Sequence, residues 1–257
     1  MRPALAGLLM LVAATGRSGA WAKDLPAPGR FEAELRALAD YDRSLGGESV
    51  GTLFIGSSSI RLWDVKTEFA AYRPLNHGFG GATVLDVIAN YALLTAHYAP
   101  ETIIVYVGEN DIVQGRATEA VAADVIALLA RLRDDFPAAR ILYLSMKSSP
   151  ARWARRSAFE QANRHIREQS ESSRDFDYID VSGTLLRSDE APDPDCFSPD
   201  GIHLNMVGYR RWRQIIGGYL PNRGEGTAAG PVPEIAAAAS RAVQSAVLPI
   251  TTAAATR

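Results

Sequence analysis

Thr102-Ile103-Ile104-Val105-Tyr106-Val107-Gly108-Glu109-Asn110-Asp111 is the stretch whose reading decides the fold. Residues 102–107 form a β-branched run, and Gly108 ends it, so the segment reads as a strand that stops where a cluster of polar groups begins. Residues 52–55 repeat the pattern and end at Gly56, and 140–144 and 178–181 are apolar runs of the same kind. A short strand at 74–76 precedes Gly78. Between the strands lie stretches with helical spacing near 83–97, 117–135 and 157–171, and another near 206–219 closes the domain. Ahead of the first strand, residues 30–45 carry Phe31, Leu35, Leu38 and Tyr41 on one helical face. Strand alternating with helix implies a mostly parallel sheet with helices on both faces. Open sheets of this kind bind ligands beyond the carboxyl ends of their strands, where Ser58 and Asn110 both fall.

Four blocks carry chemistry: Gly56-Ser57-Ser58-Ser59, Gly78-Phe79-Gly80-Gly81, Gly108-Glu109-Asn110-Asp111 and Asp200-Gly201-Ile202-His203. A serine hydroxyl is a poor nucleophile at neutral pH and needs a general base, which in turn needs a partner to fix its tautomer. His203 and Asp200, three residues apart on a turn, can supply both. A developing oxyanion needs N–H donors, each worth roughly 2.7–4 kcal/mol of barrier. Gly81, Asn110 and the Ser58 amide are the candidates. Each block also has a plain structural reading. Serines beside glycine satisfy turn backbone, glycines permit positive φ, Asp200-Gly201 is a turn signal, and Asn205 can cap the last helix.

Taken together and in order, the four blocks resemble the SGNH, or GDSL-like, hydrolase family over roughly residues 30–221. The resemblance implies a three-layer α/β/α fold with a mostly parallel, flavodoxin-like central sheet. It further implies a Ser-His-Asp triad of Ser58, His203 and Asp200, an oxyanion hole of Ser58, Gly81 and Asn110, and no metal or organic cofactor. Ser57 stands where the family's first block has Asp, which leaves Ser59 as the alternative nucleophile; Asp111 is expected to be supporting structure. Within the family, the first two blocks are most similar to bacterial acylhydrolases like the platelet-activating-factor acetylhydrolase catalytic subunits, implying a small acyl group. The expected activity is that of a carboxylic ester hydrolase. Its substrate would be a small-molecule, lipid or acetylated-carbohydrate ester. An α/β-hydrolase elbow, Gly-x-Ser-x-Gly, is disfavoured because Ile60 stands two residues after Ser58. Two other readings compete: a metal-dependent phosphoesterase using Asp111, Asp200 and His203, and a carbohydrate- or lipid-binding relative without catalysis.

The remaining sequence bounds context. The 257 residues, 47% hydrophobic and 22% charged, are enough for one sizeable core. Residues 1–22 have the charged start, apolar run and small-residue end of a secretory signal peptide, so an exported, periplasmic or secreted enzyme is expected. The apolar run is shorter than the roughly 20 residues a membrane span needs. Without residues 1–22 the net charge is −4, which gives no electrostatic case for nucleic acid. Oligomeric state has no signal here. Residues 23–221 form the expected hydrolase domain, and 222–257 an Ala-rich flexible tail. Cys196 is the sole cysteine and reads as a packed thiol. His97 and His165 read as helix residues, and His77 as a pocket-wall candidate. Residues 150–156, with Trp153 and three arginines, read as a solvated helix start with Trp153 packed inward; recognition of an anionic or sugar-like group is the alternative.

Overall fold

The computed structural model describes residues 25–26, 29–46, 49–96 and 98–221. The expectations for the leader, the tail and His97 lie outside the described residues. In chain order the elements are α1 Glu32–Ser44, β1 Thr52–Gly56, α2 Ser58–Arg61, α3 Val65–Glu68, β2 Pro74–Gly78, α4 Val84–Ala89 and α5 Tyr91–Thr95. They continue with β3 Thr102–Tyr106, α6 Glu109–Val113, α7 Thr118–Asp135, β4 Arg140–Leu144, α8 Arg156–Ser173, β5 Asp177–Ile179 and α9 Met206–Gly217. Among the described residues, no helix is long and apolar enough to cross a membrane.

All five strands are parallel, in the order β2-β1-β3-β4-β5. Every residue of β1 and of β3 is buried, as expected of parallel strands covered on both faces. Successive strand side chains point to opposite faces, so the sheet divides the core in two. Leu53, Ile55, Ile103, Val105, Ile141 and Tyr143 pack with residues of α1, α4, α5, α7 and α8. Phe54, Ile104, Leu142 and Leu144 pack on the other face with Trp63, Phe69, Tyr209 and Trp212. Each such side chain removed from water contributes about 1.5–3 kcal/mol before chain entropy is counted.

The helices follow from their residues. In α7 the buried side chains Val121, Val125, Leu128 and Leu132 recur at the three- and four-residue spacing of one helical face. A capping box starts α4: Thr83 accepts from the Asp86 N–H, and Asp86 Oδ2 accepts from the Thr83 N–H at 2.9 Å. The single helix expected over 83–97 is two, α4 and α5, broken at Asn90. Its side chain donates to the Asp86 carbonyl at 2.8 Å, the local side-chain-to-backbone bond by which Asn competes with helix.

Register positions the site. Gly56 lies level with Gly78 on one side and Tyr106 on the other, so the chains leaving β1, β2 and β3 emerge at one edge. The chain leaves β1 towards β2 and leaves β3 towards β4, in opposite directions along the sheet, which makes the β1/β3 junction its switch point, the place where open α/β sheets form a crevice. Gly56 has φ +151°, and a Cβ there would lie 2.0 Å from the Tyr106 carbonyl oxygen. Only glycine lets β3 approach at this point.

Candidate active site

After Gly56 the chain turns through Ser57 directly into α2. The Ser57 N–H donates to the Tyr106 carbonyl at 3.0 Å, and its own carbonyl accepts from Ile60 and Arg61. Ser57 is buried, and its side chain makes no cap hydrogen bond. Its place in the turn is held by backbone. Ser59 is buried too, and its Oγ accepts from Lys147 Nζ at 3.2 Å. Ser58, the first residue of α2, is the partly exposed one, and its Oγ lies 2.9 Å from His203 Nε2. Geometry therefore separates three serines that are alike in sequence. The Ser58 N–H occupies a helix position that has no internal acceptor.

His203 Nδ1 is 2.6 Å from Asp200 Oδ2. A ring nitrogen facing a carboxylate carries the proton, so Nδ1–H donates to Asp200 and Nε2 is left to accept from the Ser58 hydroxyl. The other carboxylate oxygen, Oδ1, accepts the N–H groups of Ile202 and His203 at 2.9 and 3.0 Å. Partial burial would raise the Asp200 pKa, but the His203 ring and these two N–H groups outweigh it and hold the carboxyl below its usual range. The loop is anchored on both sides. Ser198 donates to the His203 carbonyl at 2.8 Å, while Asn205 caps α9 through Val207 and Gly208 and donates to the Asp195 and Phe197 carbonyls. Such an ordered relay can draw a proton from Ser58 as its oxygen attacks a carbonyl carbon.

Opposite lies the loop after β2. Gly81 has φ +70° and open space where a Cβ would stand. Asn110 Nδ2 donates to the Ala82 carbonyl at 3.0 Å, and Asp111 Oδ2 accepts the Val84 N–H at 3.0 Å. Two neighbours at the end of β3 thus clamp the segment that carries Gly81. Asp111 also meets Arg116 at 2.9 Å. Burial pushes the Asp111 carboxyl up to about 6, against the downward pull of the Val84 N–H and Arg116. Supporting structure is the role its contacts fit.

Behind these loops sits a buried charge cluster that the sequence reading missed. Lys147 Nζ, fully buried, donates to Glu109 Oε2 at 3.0 Å, to the Tyr106 hydroxyl at 3.1 Å and to Ser59. Desolvation lowers its pKa, and Glu109 opposes that fall. Arg152 reaches the same carboxylate oxygen at 3.4 Å and donates to Asn110 Oδ1 at 3.0 Å. A signal was present: a lysine three residues beyond an apolar strand, at the edge where the other blocks end.

His77 is no pocket wall. It is wholly buried within β2, with Nδ1 at the Leu94 carbonyl, 2.8 Å, and Nε2 at Asp42, 2.9 Å, because the strand pleat turns it towards α1 and α5. His165 is an exposed residue of α8, as expected. Trp153 is not packed inward; it lies half-buried in a 3₁₀ turn beneath the Arg156 guanidinium, because that turn runs along the surface. Cys196 is buried, and burial pushes its thiol up to about 11. Such a thiol is unreactive at neutral pH.

Solved structures share the architecture. A protein provisionally assigned as a platelet activating factor from Streptococcus pneumonia superposes with a TM-score of 0.65 at 18% identity, covering 74% of this chain and 94% of its own. A GDSL-like lipase from Bacteroides thetaiotaomicron gives 0.58 at 13% identity, over 71% and 97%. A variant of Axe2, an acetyl-xylooligosaccharide esterase from Geobacillus stearothermophilus, gives 0.54 at 13%, over 70% and 98%. At such identities these likenesses establish the fold alone. No curated protein matches the chain. The family model described as GDSL-like Lipase/Acylhydrolase matches residues 62–211, which take in Gly81, Asn110, Asp200 and His203 and begin just past Ser58. With the parallel sheet, the strand-end loops and a match over more than half its length, the chain belongs to the GDSL-like lipase/acylhydrolase, or SGNH, family.

Proposed function

We propose that the protein is an exported serine esterase that cleaves carboxylic esters of short acyl groups through an acyl-enzyme. Ser58 Oγ attacks the ester carbonyl while His203 Nε2 takes its proton, and Asp200 holds the resulting imidazolium. The N–H groups of Ser58 and Gly81 and the Asn110 amide receive the oxyanion. His203 then protonates the departing alkoxide; water, activated by the same imidazole, releases the acid and restores Ser58. The observation that carries this reading is the unbroken contact from Asp200 through His203 to Ser58, at 2.6 and 2.9 Å. The short acyl preference rests on the likeness of the first two blocks to platelet-activating-factor acetylhydrolase subunits, and the acetyl esterase among the structural neighbours agrees with it. The metal-dependent phosphoesterase has less support. Asp111 is engaged by Val84 and Arg116, and among the described residues no three His, Cys, Asp or Glu side chains are grouped to hold a metal ion.

Hydrolysis of p-nitrophenyl esters from acetate to dodecanoate, by wild type and Ser58→Ala, tests the reading. The wild type should favour the shortest chains, and the variant should lose about 10⁴-fold or more in kcat. Undiminished turnover by Ser58→Ala would remove the assignment.

A further inference from the structure

We infer that Arg152 is a positioning residue for the oxyanion side of the site: it fixes and polarises the Asn110 side chain. The inference rests on the esterase reading above. An Asn amide has two ends of nearly equal shape, and only its hydrogen-bond partners decide which faces where. At Asn110 both partners agree. The guanidinium of Arg152 can only donate, and it lies 3.0 Å from Oδ1; the Ala82 carbonyl can only accept, and it lies 3.0 Å from Nδ2. A flipped amide would set N–H against guanidinium and oxygen against carbonyl. With one Nδ2 hydrogen held by Ala82, the second is the one left for an oxyanion. A cation on Oδ1 draws electron density from the amide and strengthens that donor.

The rest of the geometry holds Arg152 in place. Its side chain is only 17% exposed, and its other terminal nitrogen lies 3.4 Å from Glu109 Oε2, which Lys147 fixes from below. The preceding residue ties the same turn to the base loop, because the Ala151 N–H donates to the Gly201 carbonyl at 3.0 Å. One six-residue turn, Pro150–Arg155, therefore joins the block that carries Asn110 to the block that carries Asp200 and His203. A guanidinium so engaged acts through Asn110 and has little freedom to bind substrate itself.

A double-mutant cycle on p-nitrophenyl acetate, a neutral ester, tests this. Arg152→Met should lower kcat about 10- to 100-fold, less than or comparable to the loss of a whole oxyanion donor, while KM changes no more than about threefold. Arg152→Lys should recover part of the loss, since a lysine keeps the charge without the fork. The decisive result is that Arg152→Met/Asn110→Ala is no slower than Asn110→Ala alone, within about twofold, because the arginine acts only through that amide. Losses that multiply, or an effect confined to KM, would overturn the inference. So would a loss much larger on a negatively charged ester, which would make Arg152 a substrate anchor. Melting midpoints establish folding, and Arg152→Gln carries the same cycle should the Met variant not fold. A Ser58→Ala enzyme with full activity would sink the esterase reading; an inactive one beside multiplicative losses would sink only the role of Arg152.

Discussion

Ser57, Ser58 and Ser59 carry the same side chain in one short block, yet one is held in a turn by backbone, one faces an imidazole and one receives a buried lysine. Ser57 is set apart by its extended backbone ahead of α2, and within α2 the helix turns the Ser59 Cβ about 100° from that of Ser58. Asp111 shows how far a neighbour can set a residue's chemistry. The folded protein holds its proton up to about pH 6, whereas an unfolded chain releases it near pH 3.9. The native state therefore binds the extra proton between those values, so this group's contribution to stability is fully present below about pH 4 and declines as pH rises to 6. Asp111→Asn cannot titrate. The wild-type unfolding free energy, taken relative to that variant, should fall by up to about 3 kcal/mol between pH 4 and pH 6 and then level off, as chemical denaturation at stepped pH would read. A flat difference would show that Asp111 ionises as in the unfolded chain, and a rising one that its partners hold the carboxyl below the usual range; either contradicts this reading.

At the scale of elements, the glycine that ends β1 matters more than its neighbours in the serine block. Replacing Gly56 with Ala puts a methyl 2.0 Å from the Tyr106 carbonyl, with φ in the region that L residues avoid. Strands β1 and β3 would have to part where the Ser57 N–H is bound. Gly56→Ala should lose about 4 kcal/mol or more, read by denaturant unfolding or as loss of soluble protein. Gly81→Ala meets open space and should cost only the left-handed strain, about 1–2 kcal/mol. Equal stability of the two variants would contradict this account of the β1–β3 junction. Elements of this kind were largely legible in sequence. β-branched runs, glycine stops and helical spacing placed all five strands and the long helices, and Asn205 was found where it caps α9. The break at Asn90 was not legible, because an apolar period continues across it while the backbone leaves the helical region at that one residue, with φ −106° and ψ 12°.

For the whole molecule, the site exists only because a parallel sheet brings loops far apart in the chain to one edge: Ser58 and His203 are 145 positions apart and in contact. The order of the four blocks and the family that they resemble single out Ser58, Gly81, Asn110, Asp200 and His203 as the candidate site residues. Lys147 stands past a strand end as they do, but its role and that of Arg152 were not legible, because both come from Glu109 and Asn110, which lie some 40 positions away. No period or motif encodes that encounter; only the finished packing does. The place of His77 was illegible for the same reason, since adjacency to a glycine block says nothing about which face of β2 a side chain occupies. The claim on which everything else depends is that this convergence activates Ser58. Brief exposure of the folded protein to a fluorophosphonate, followed by peptide mass mapping, tests it directly. The account predicts a single adduct on Ser58, absent from Ser58→Ala and slowed about 10³-fold or more in His203→Ala. An adduct on Ser57 or Ser59, or equal labelling without His203, would contradict it.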